Sequence, residues 1–198
     1  MPTVNSARRE LRASLRRRRR SVSPEERLAA ARRVASHVDH AFPLRAGRRI
    51  ALYSPLDDEL DTTPLLSLAR ERGCEIFLPR IDDYRATRMS FHRETATLTR
   101  NRFGIPEPDA GESLGSRWFD IVFVPLVAFD ARGMRLGMGA GFYDRALAWR
   151  RARTAWRGPR LIGLAYAFQQ LPSIAAAAHD VRLDAVVTQQ GVIRCSIG

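Results

Sequence analysis

Apolar and polar positions along this chain fall into two periods, and their alternation lays out the fold. Short apolar runs read as strands: Arg49-Ile-Ala-Leu-Tyr-Ser54, Glu75-Ile-Phe-Leu78, Phe119-Asp-Ile-Val-Phe-Val-Pro125, Arg160-Leu-Ile-Gly-Leu-Ala-Tyr166, Asp184-Ala-Val-Val-Thr188 and Gly191-Val-Ile-Arg-Cys195. Met89-Ser-Phe-His92 alternates like a shorter strand. Helical signals lie between them. Residues 5–20 form a basic helix in which Leu11 and Leu15 share a face. Ser23-Pro-Glu-Glu26 is a capping box, with Ser23 as N-cap, Pro24 in the first turn and Glu26 reaching back. The helix that it opens runs to about His40, where Pro43 and Gly47 break it. Thr62-Thr-Pro64 starts a third helix ending near Gly73, and Asp144 to Arg151 reads as a fourth. The stretch 96–118, with Gly104, Pro106, Pro108, Gly111 and Gly115, is loop-rich. Strands alternating with helices predict an α/β fold, a three-layer α/β/α arrangement around a mostly parallel sheet. Ligands of such sheets bind beyond the carboxyl ends of the strands. The loops after Ser54, Leu78, Val124, Tyr166 and Thr188 are therefore expected to gather there.

Composition narrows this picture in three ways. A chain of 198 residues is expected to fold as one domain, with residues 1–22 as its basic N-terminal helix. No apolar run approaches the length of a bilayer span, and the N-terminus lacks the apolar core of a secretory signal. Its arginine-rich, acid-poor start also fits a transit peptide, although the Leu11/Leu15 pair suits a retained, packed helix better. Cys74 and Cys195, far apart and in no C-x-x-C pair, are expected to be reduced and buried. A cytoplasmic monomer without membrane contact is expected.

The net charge of +12 suggests a nucleic-acid partner, so its distribution matters. Residues 1–33 hold eleven arginines against three glutamates, dominated by the run Arg16 to Arg20. A solvated helix face is the plain reading of such a run, and an RNA- or phosphate-attracting patch is the sharper one. No RNP, KH or zinc-finger pattern supports a nucleic-acid partner.

The chemistry concentrates in Arg135-Leu-Gly-Met-Gly-Ala-Gly-Phe-Tyr-Asp-Arg145. Gly137, Gly139 and Gly141 alternate between a strand and a helix N-terminus. Unpaired backbone N–H groups and the helix dipole favour an anion there. Rossmann spacing is absent, and so is the lysine of a Walker A loop: all 33 basic residues are arginine. Phosphate contacts therefore fall to arginine forks, and Schiff-base chemistry has no residue to carry it. An ordinary glycine-rich connection remains the competing reading of this loop.

Other residues invite two readings each. Asp57, Asp58, Glu59 and Asp61 form either a solvated acidic loop or a group with one carboxylate turned into the cleft. Asp144 and Asp180 suit Mg²⁺, which uses one or two carboxylates with phosphate oxygens and water, but also suit a helix start and a turn. His179 reads as a turn residue. Tyr143 and Tyr166 are core aromatics or rings stacked on a flat ligand. Neither a Ser-His-Asp order nor a metal-binding His/Cys spacing occurs, and phosphoryl transfer from a nucleotide fits the inventory best.

Taken in order, several segments resemble the 5-formyltetrahydrofolate cyclo-ligase (5,10-methenyltetrahydrofolate synthetase) family. They are Arg8-Arg-Glu-Leu-Arg12, Ser23-Pro-Glu-Glu-Arg27, Asp58-Glu-Leu-Asp-Thr62, Leu78-Pro-Arg80, Phe103-Gly-Ile-Pro-Glu-Pro108, Val124-Pro125 and Ala128-Phe-Asp130. Gly133 to Asp144, Ile162-Gly-Leu-Ala-Tyr166 and His179-Asp-Val-Arg-Leu-Asp184 complete the set, which covers about residues 8–188. The resemblance implies an ATP- and Mg²⁺-dependent ring closure of 5-formyltetrahydrofolate through a phosphorylated formyl group. It assigns Arg8 and Arg12 to nucleotide phosphates, together with the loop Arg135, Leu136, Gly137, Met138, Gly139, Ala140, Gly141, Phe142, Tyr143 and Asp144. It assigns Asp144 and Asp180 to Mg²⁺, and Tyr53, Glu59, Met89, Phe103 and Tyr143 to the folate. Arg135, Tyr143 and Asp144 would serve the chemistry itself. Many members carry arginine where this chain has Met138, and glycine where it has Ala140. The missing cation is then left to Arg135 or Arg145, and the added methyl restricts the loop backbone. An RNA-binding module using the first helix, and a sugar-phosphate isomerase-like enzyme, are the rival readings.

Overall fold

The structure, a computed structural model, describes residues 4–109, 111–152, 158–177 and 179–195. In chain order the elements are α1 (Val4–Arg20), α2 (Pro24–Ala41), β1 (Arg49–Ala51), α3 (Thr63–Glu71), β2 (Glu75–Asp83), β3 (Arg88–Arg93), β4 (Leu98–Arg100), β5 (Pro106–Pro108), β6 (Ser113–Leu114), β7 (Ile121–Pro125), β8 (Ala128–Phe129), β9 (Arg135–Leu136), α4 (Phe142–Ala146), β10 (Arg160–Leu164), β11 (Ala185–Thr188) and β12 (Gly191–Arg194). Eight of the strands form one sheet in the order β12-β11-β10-β7-β1-β2-β3-β6. The five central strands run parallel, while β12 and β3 run antiparallel to their neighbours.

Period-two burial explains why both faces are covered. On β7, Ile121 and Phe123 enter the core under α2 and α3, which contribute Val34, Val38 and Leu65. Val122 and Val124 point the other way, towards Phe77, Phe119, Leu147 and Val186. Each such side chain, removed from water, contributes about 1.5–3 kcal/mol. Gly163 on β10 is needed for this packing, because a Cβ there would lie 2.6 Å from Leu126 Cδ2 and 2.8 Å from Leu183 Cδ1. The α/β architecture is as expected, with the second helical layer thinner than the first.

Several boundaries differ from the sequence expectation for identifiable reasons. The capping box at Ser23 is present, with Glu26 N donating to Ser23 Oγ at 3.2 Å and Ser23 N to Glu26 Oε2 at 3.1 Å. Strand β2 continues through Pro79 to Asp83, beyond the expected end at Leu78. Phe77 presents its carbonyl to Leu52 N, so Pro79, two residues on, turns its missing N–H to the same side, past the end of β1. The expected loop 96–118 contains the hairpin β4–β5 and the edge strand β6. The expected fourth helix is one short turn and a half, followed by a 3₁₀ turn at Ala148–Ala152. Cys74 and Cys195 form no disulfide and are half-buried, not fully buried.

Candidate active site

The carboxyl ends of the parallel strands carry the predicted residues, and two groups of different character lie along this edge. On one side, α1 packs Leu11 and Leu15 against the β8–β9 hairpin and Ile174. This places the arginines at 8, 12, 16 and 19, spaced as one helix face, over the loops. Arg12 Nε donates to the Gly137 carbonyl at 2.8 Å, and its guanidinium lies 3.7 Å from where a Cβ on Gly139 would be. Burial and the neighbouring Arg8 charge lower the Arg12 pKa. Arg8 donates to the Ala175 carbonyl and lies 3.8 Å from Asp180.

The glycine loop leaves β9 at Leu136, which is buried, and enters α4 at Phe142. Gly139 and Gly141 have φ of 109° and 77°, values that a side chain strains to adopt. A Cβ on Gly137 or Gly141 would meet nothing within 4 Å, so the loop backbone faces open space. Met138 is 40% exposed and Ala140 lies on the surface beside it. Because α4 has only five residues, the anion attraction here rests on the loop's own N–H groups more than on a helix dipole.

Arg135 lies below the loop, buried, with one Nη donating to Asp144 Oδ1 at 2.7 Å and the other to the Val181 carbonyl. Val181 N donates to the same Asp144 oxygen at 3.2 Å. Asp180, one residue earlier, accepts from Ala177 N at 2.7 Å through Oδ2. The two carboxylates predicted for a metal thus share one backbone junction, while Arg135 acts as a clamp on Asp144. Among the described residues, no group of three or more His, Cys, Asp and Glu could hold a metal by itself.

The second group is acidic, phenolic and dry. Three acids of the 57–61 cluster have separate tasks, while Asp57 is exposed. Asp58 is buried between Arg16 (3.0 Å) and Arg19 (2.7 Å), and Asp61 accepts from Thr63 N at the start of α3. Of these acids, Glu59 is buried with no arginine ion pair among the described residues, its Oε2 accepting from Leu56 N at 3.1 Å. Burial pushes the Glu59 carboxyl up. Tyr53 and Tyr143 both feel its charge, and burial drives both phenols well above their usual range. The Tyr143 hydroxyl is covered and has no hydrogen-bond partner among the described residues. Its ring meets Phe91 edge-on at 6.4 Å, and Met89 packs into the same cluster. Phe103 stands apart at the tip of β4–β5, 49% exposed, with its ring against Tyr84 and under Arg102. Ser54 Oγ, donating to the Pro106 carbonyl at 2.9 Å, holds that hairpin over the loop after β1.

Two residues have roles that the sequence reading did not give them. Asp130 is wholly buried and accepts from Arg132, Met134 N and Ile174 N, tying the β8–β9 turn to the segment that leads to Asp180. Its only signal was its place in Ala128-Phe-Asp130. Asp58 was seen as one acid among four, and nothing local marked its arginine partners. The arginine run is largely used up internally: Arg16 and Arg19 pair with Asp58, and Arg18 lies 4.4 Å over the Phe168 ring.

Similarity to known proteins extends over nearly the whole chain. A 5-formyltetrahydrofolate cyclo-ligase family model matches residues 4–189. The cyclo-ligase of Escherichia coli K12 is 33% identical over 183 residues, covering 90% of this chain and 98% of that one. That of Mus musculus is 32% identical over 193 residues, covering 93% and 95%. The 5,10-methenyltetrahydrofolate synthetase of Aquifex aeolicus superposes with a TM-score of 0.79 at 33% identity, over 96% of this chain and 94% of that chain. Its counterpart from Mycoplasma pneumoniae, at 23% identity and a TM-score of 0.71, shares the fold. The chain belongs to the 5-formyltetrahydrofolate cyclo-ligase family of enzymes.

Proposed function

We propose that this protein, a single-domain monomer acting in the cytoplasm, converts 5-formyltetrahydrofolate to 5,10-methenyltetrahydrofolate. It would use ATP with Mg²⁺, and release ADP and phosphate. The observation that carries this reading is the pairing, along one sheet edge, of an arginine-lined glycine loop with the dry Tyr53–Glu59–Tyr143 group. A polyanion suits the first, and a flat, hydrogen-bonding heterocycle suits the second.

The formyl oxygen would attack the γ-phosphorus of ATP, and the bond to the β–γ bridging oxygen would break to leave ADP. N10 would then attack the activated formyl carbon and lose its proton. Phosphate would depart with the former formyl oxygen, closing the ring. An amide-like oxygen is a poor leaving group until phosphorylated, so alignment and charge neutralisation are the main demands on the protein. Arg8 and Arg12 would bind the phosphates, Arg12 exchanging the Gly137 carbonyl for a charge-assisted bond. The loop from Leu136 to Phe142 would give the phosphates its backbone N–H groups. Arg135, already bonded to the Val181 carbonyl and to Asp144, would fix the Asp144 carboxylate. Glu59 would hydrogen-bond the pterin, with Tyr53, Met89, Tyr143 and, on loop movement, Phe103 as walls.

Two carboxylates at one backbone junction are the donor set that Mg²⁺ takes alongside phosphate oxygens and water, so Asp144 and Asp180 fit the ion. When bound, Mg²⁺ would offset phosphate charge as a Lewis acid. The test is product stoichiometry. ADP and phosphate should form one for one with the methenyl product, and only when 5-formyltetrahydrofolate is present. ATP consumption at a comparable rate without the folate would contradict the reading.

A further inference from the structure

The arginine run of α1 has a structural task that the ring-closure chemistry does not itself require. Arg19 is 1% exposed, and it donates to Asp58 at 2.7 Å and to the Leu126 carbonyl at 3.1 Å. Its Nε is buried without a hydrogen-bond partner among the described residues. An incompletely satisfied buried cation is weak support for stability, and an apolar residue of similar volume often serves as well or better. What Arg19 does provide is a fixed register. It ties α1 both to the acidic loop 54–62 and to the residue that follows β7 on the way to the glycine loop. Arg16 adds two further bonds to the same carboxylate, at 3.0 and 3.2 Å. Arg27 of α2 closes the junction, donating to the Arg19 carbonyl at 2.8 Å and to the Asp57 carbonyl.

This junction joins the two halves of the candidate site through one rigid element. Arg12 lies seven residues from Arg19, about 10.5 Å along the same helix, and rests on the Gly137 carbonyl. Asp58 is covalently next to Glu59. A phosphate that draws Arg12 off that carbonyl would pull on α1, and the Arg16–Arg19 clasp would carry any shift of the helix to Asp58. We propose that α1 couples the two substrates: through Asp58, Arg16 and Arg19 are positioning residues that make nucleotide occupancy set the placement of Glu59, so that each substrate binds more tightly when the other is present. The coupling rests on the assignment of Arg12 to nucleotide and Glu59 to folate. By linkage, the enhancement must be the same in both directions.

The test is calorimetric titration of the full-length protein with 5-formyltetrahydrofolate, with and without Mg²⁺ and a non-hydrolysable ATP analogue, and then the reverse titration. In the wild type, each ligand should tighten the other by about tenfold, within the usual range for coupled sites. The double variant Arg19→Met/Asp58→Leu replaces the buried pair by apolar volume. It should bind each ligand alone within about threefold of wild type, with the mutual enhancement below about twofold. Arg16→Gln, a half-exposed position where the fold is not at stake, should lose part of the enhancement, and Arg16→Lys should restore it. Equal folate affinity with and without analogue in the wild type would overturn the coupling while leaving the site assignment standing. So would full enhancement in the double variant. Failure of the wild type to bind the nucleotide analogue at all would instead overturn the assignment on which the coupling rests.

Discussion

The two halves of the candidate site solve opposite electrostatic problems. Around the glycine loop, charge is abundant and paired: Arg135 with Asp144 at 2.7 Å, Arg8 near Asp180 at 3.8 Å, Arg12 on a carbonyl. Around Glu59, the nearby arginines at 16 and 19 are spent on Asp58, and the Glu59 carboxyl has no ion-pair partner among the described residues. A buried carboxyl and two covered phenols lie within electrostatic reach of one another, and burial raises all three pKa values. The first arrangement favours a ligand that brings its own negative charge and can outbid carbonyls for guanidinium groups. The second favours a neutral, flat ligand that can satisfy an orphaned hydroxyl and a proton-poor or proton-bearing carboxyl without adding charge. Reactions that join a polyanion to a heterocycle need this contrast, because a uniformly cationic cleft would hold phosphate at both ends.

The sharpest break in the contrast is Asp144→Asn. Turnover should fall by about two to three orders of magnitude, as when a charge-stabilising group is removed from an active site. The clamp adds a structural consequence that the sequence did not suggest, because Arg135 would be left buried without its counter-charge. Melting should therefore fall by about 5–15 °C. Unchanged turnover would remove Asp144 from the nucleotide side. Glu59→Gln is next. It should raise the folate KM by about ten- to a hundredfold while the KM for ATP moves less than about threefold. A larger change for ATP would mean that the two halves have been assigned the wrong way round.

How much of this contrast could be read beforehand depended on whether its causes were local. The apolar run at 121–125, the Ser23 capping box and the alternate glycines were legible because each acts within a few residues. The partners of Arg16 and Arg19 were not, since Asp58 lies 42 and 39 positions away and only the fold brings them together. Arg135 looked like a phosphate ligand from its place beside the loop. Its bonds to Asp144 and Val181 depend on where the 177–183 segment crosses, which no periodicity reveals. Strand β2 ran past Pro79 because of which neighbour its N–H would have faced, a question of sheet order.

Acid stability offers a milder probe of the paired side. Burial alone would raise the Asp58 carboxyl, but hydrogen bonds and charge from Arg16 and Arg19 hold it down at about 2. A depressed folded pKa gives stability that is present above the unfolded value and lost as pH falls towards 2. Melting curves between pH 5 and about 2 should therefore slope less in Arg19→Met/Asp58→Leu than in the wild type, and parallel slopes would deny Asp58 this part. Glu59, with its pKa raised, has the opposite sign: its burial weakens the fold as pH rises through its folded pKa, so Glu59→Gln should flatten that loss. The smallest expected effect is at Met138. Met138→Arg places a cation on an exposed loop position and should lower the KM for ATP by about two- to fivefold, with the folate KM unchanged.

The most direct measurement is near-ultraviolet absorbance of the purified protein mixed with 5-formyltetrahydrofolate, with and without Mg²⁺-ATP. Growth of the methenyl chromophore only when nucleotide, metal and folate are all present is the predicted result. Folded protein that binds both substrates and yet produces no chromophore would contradict the account.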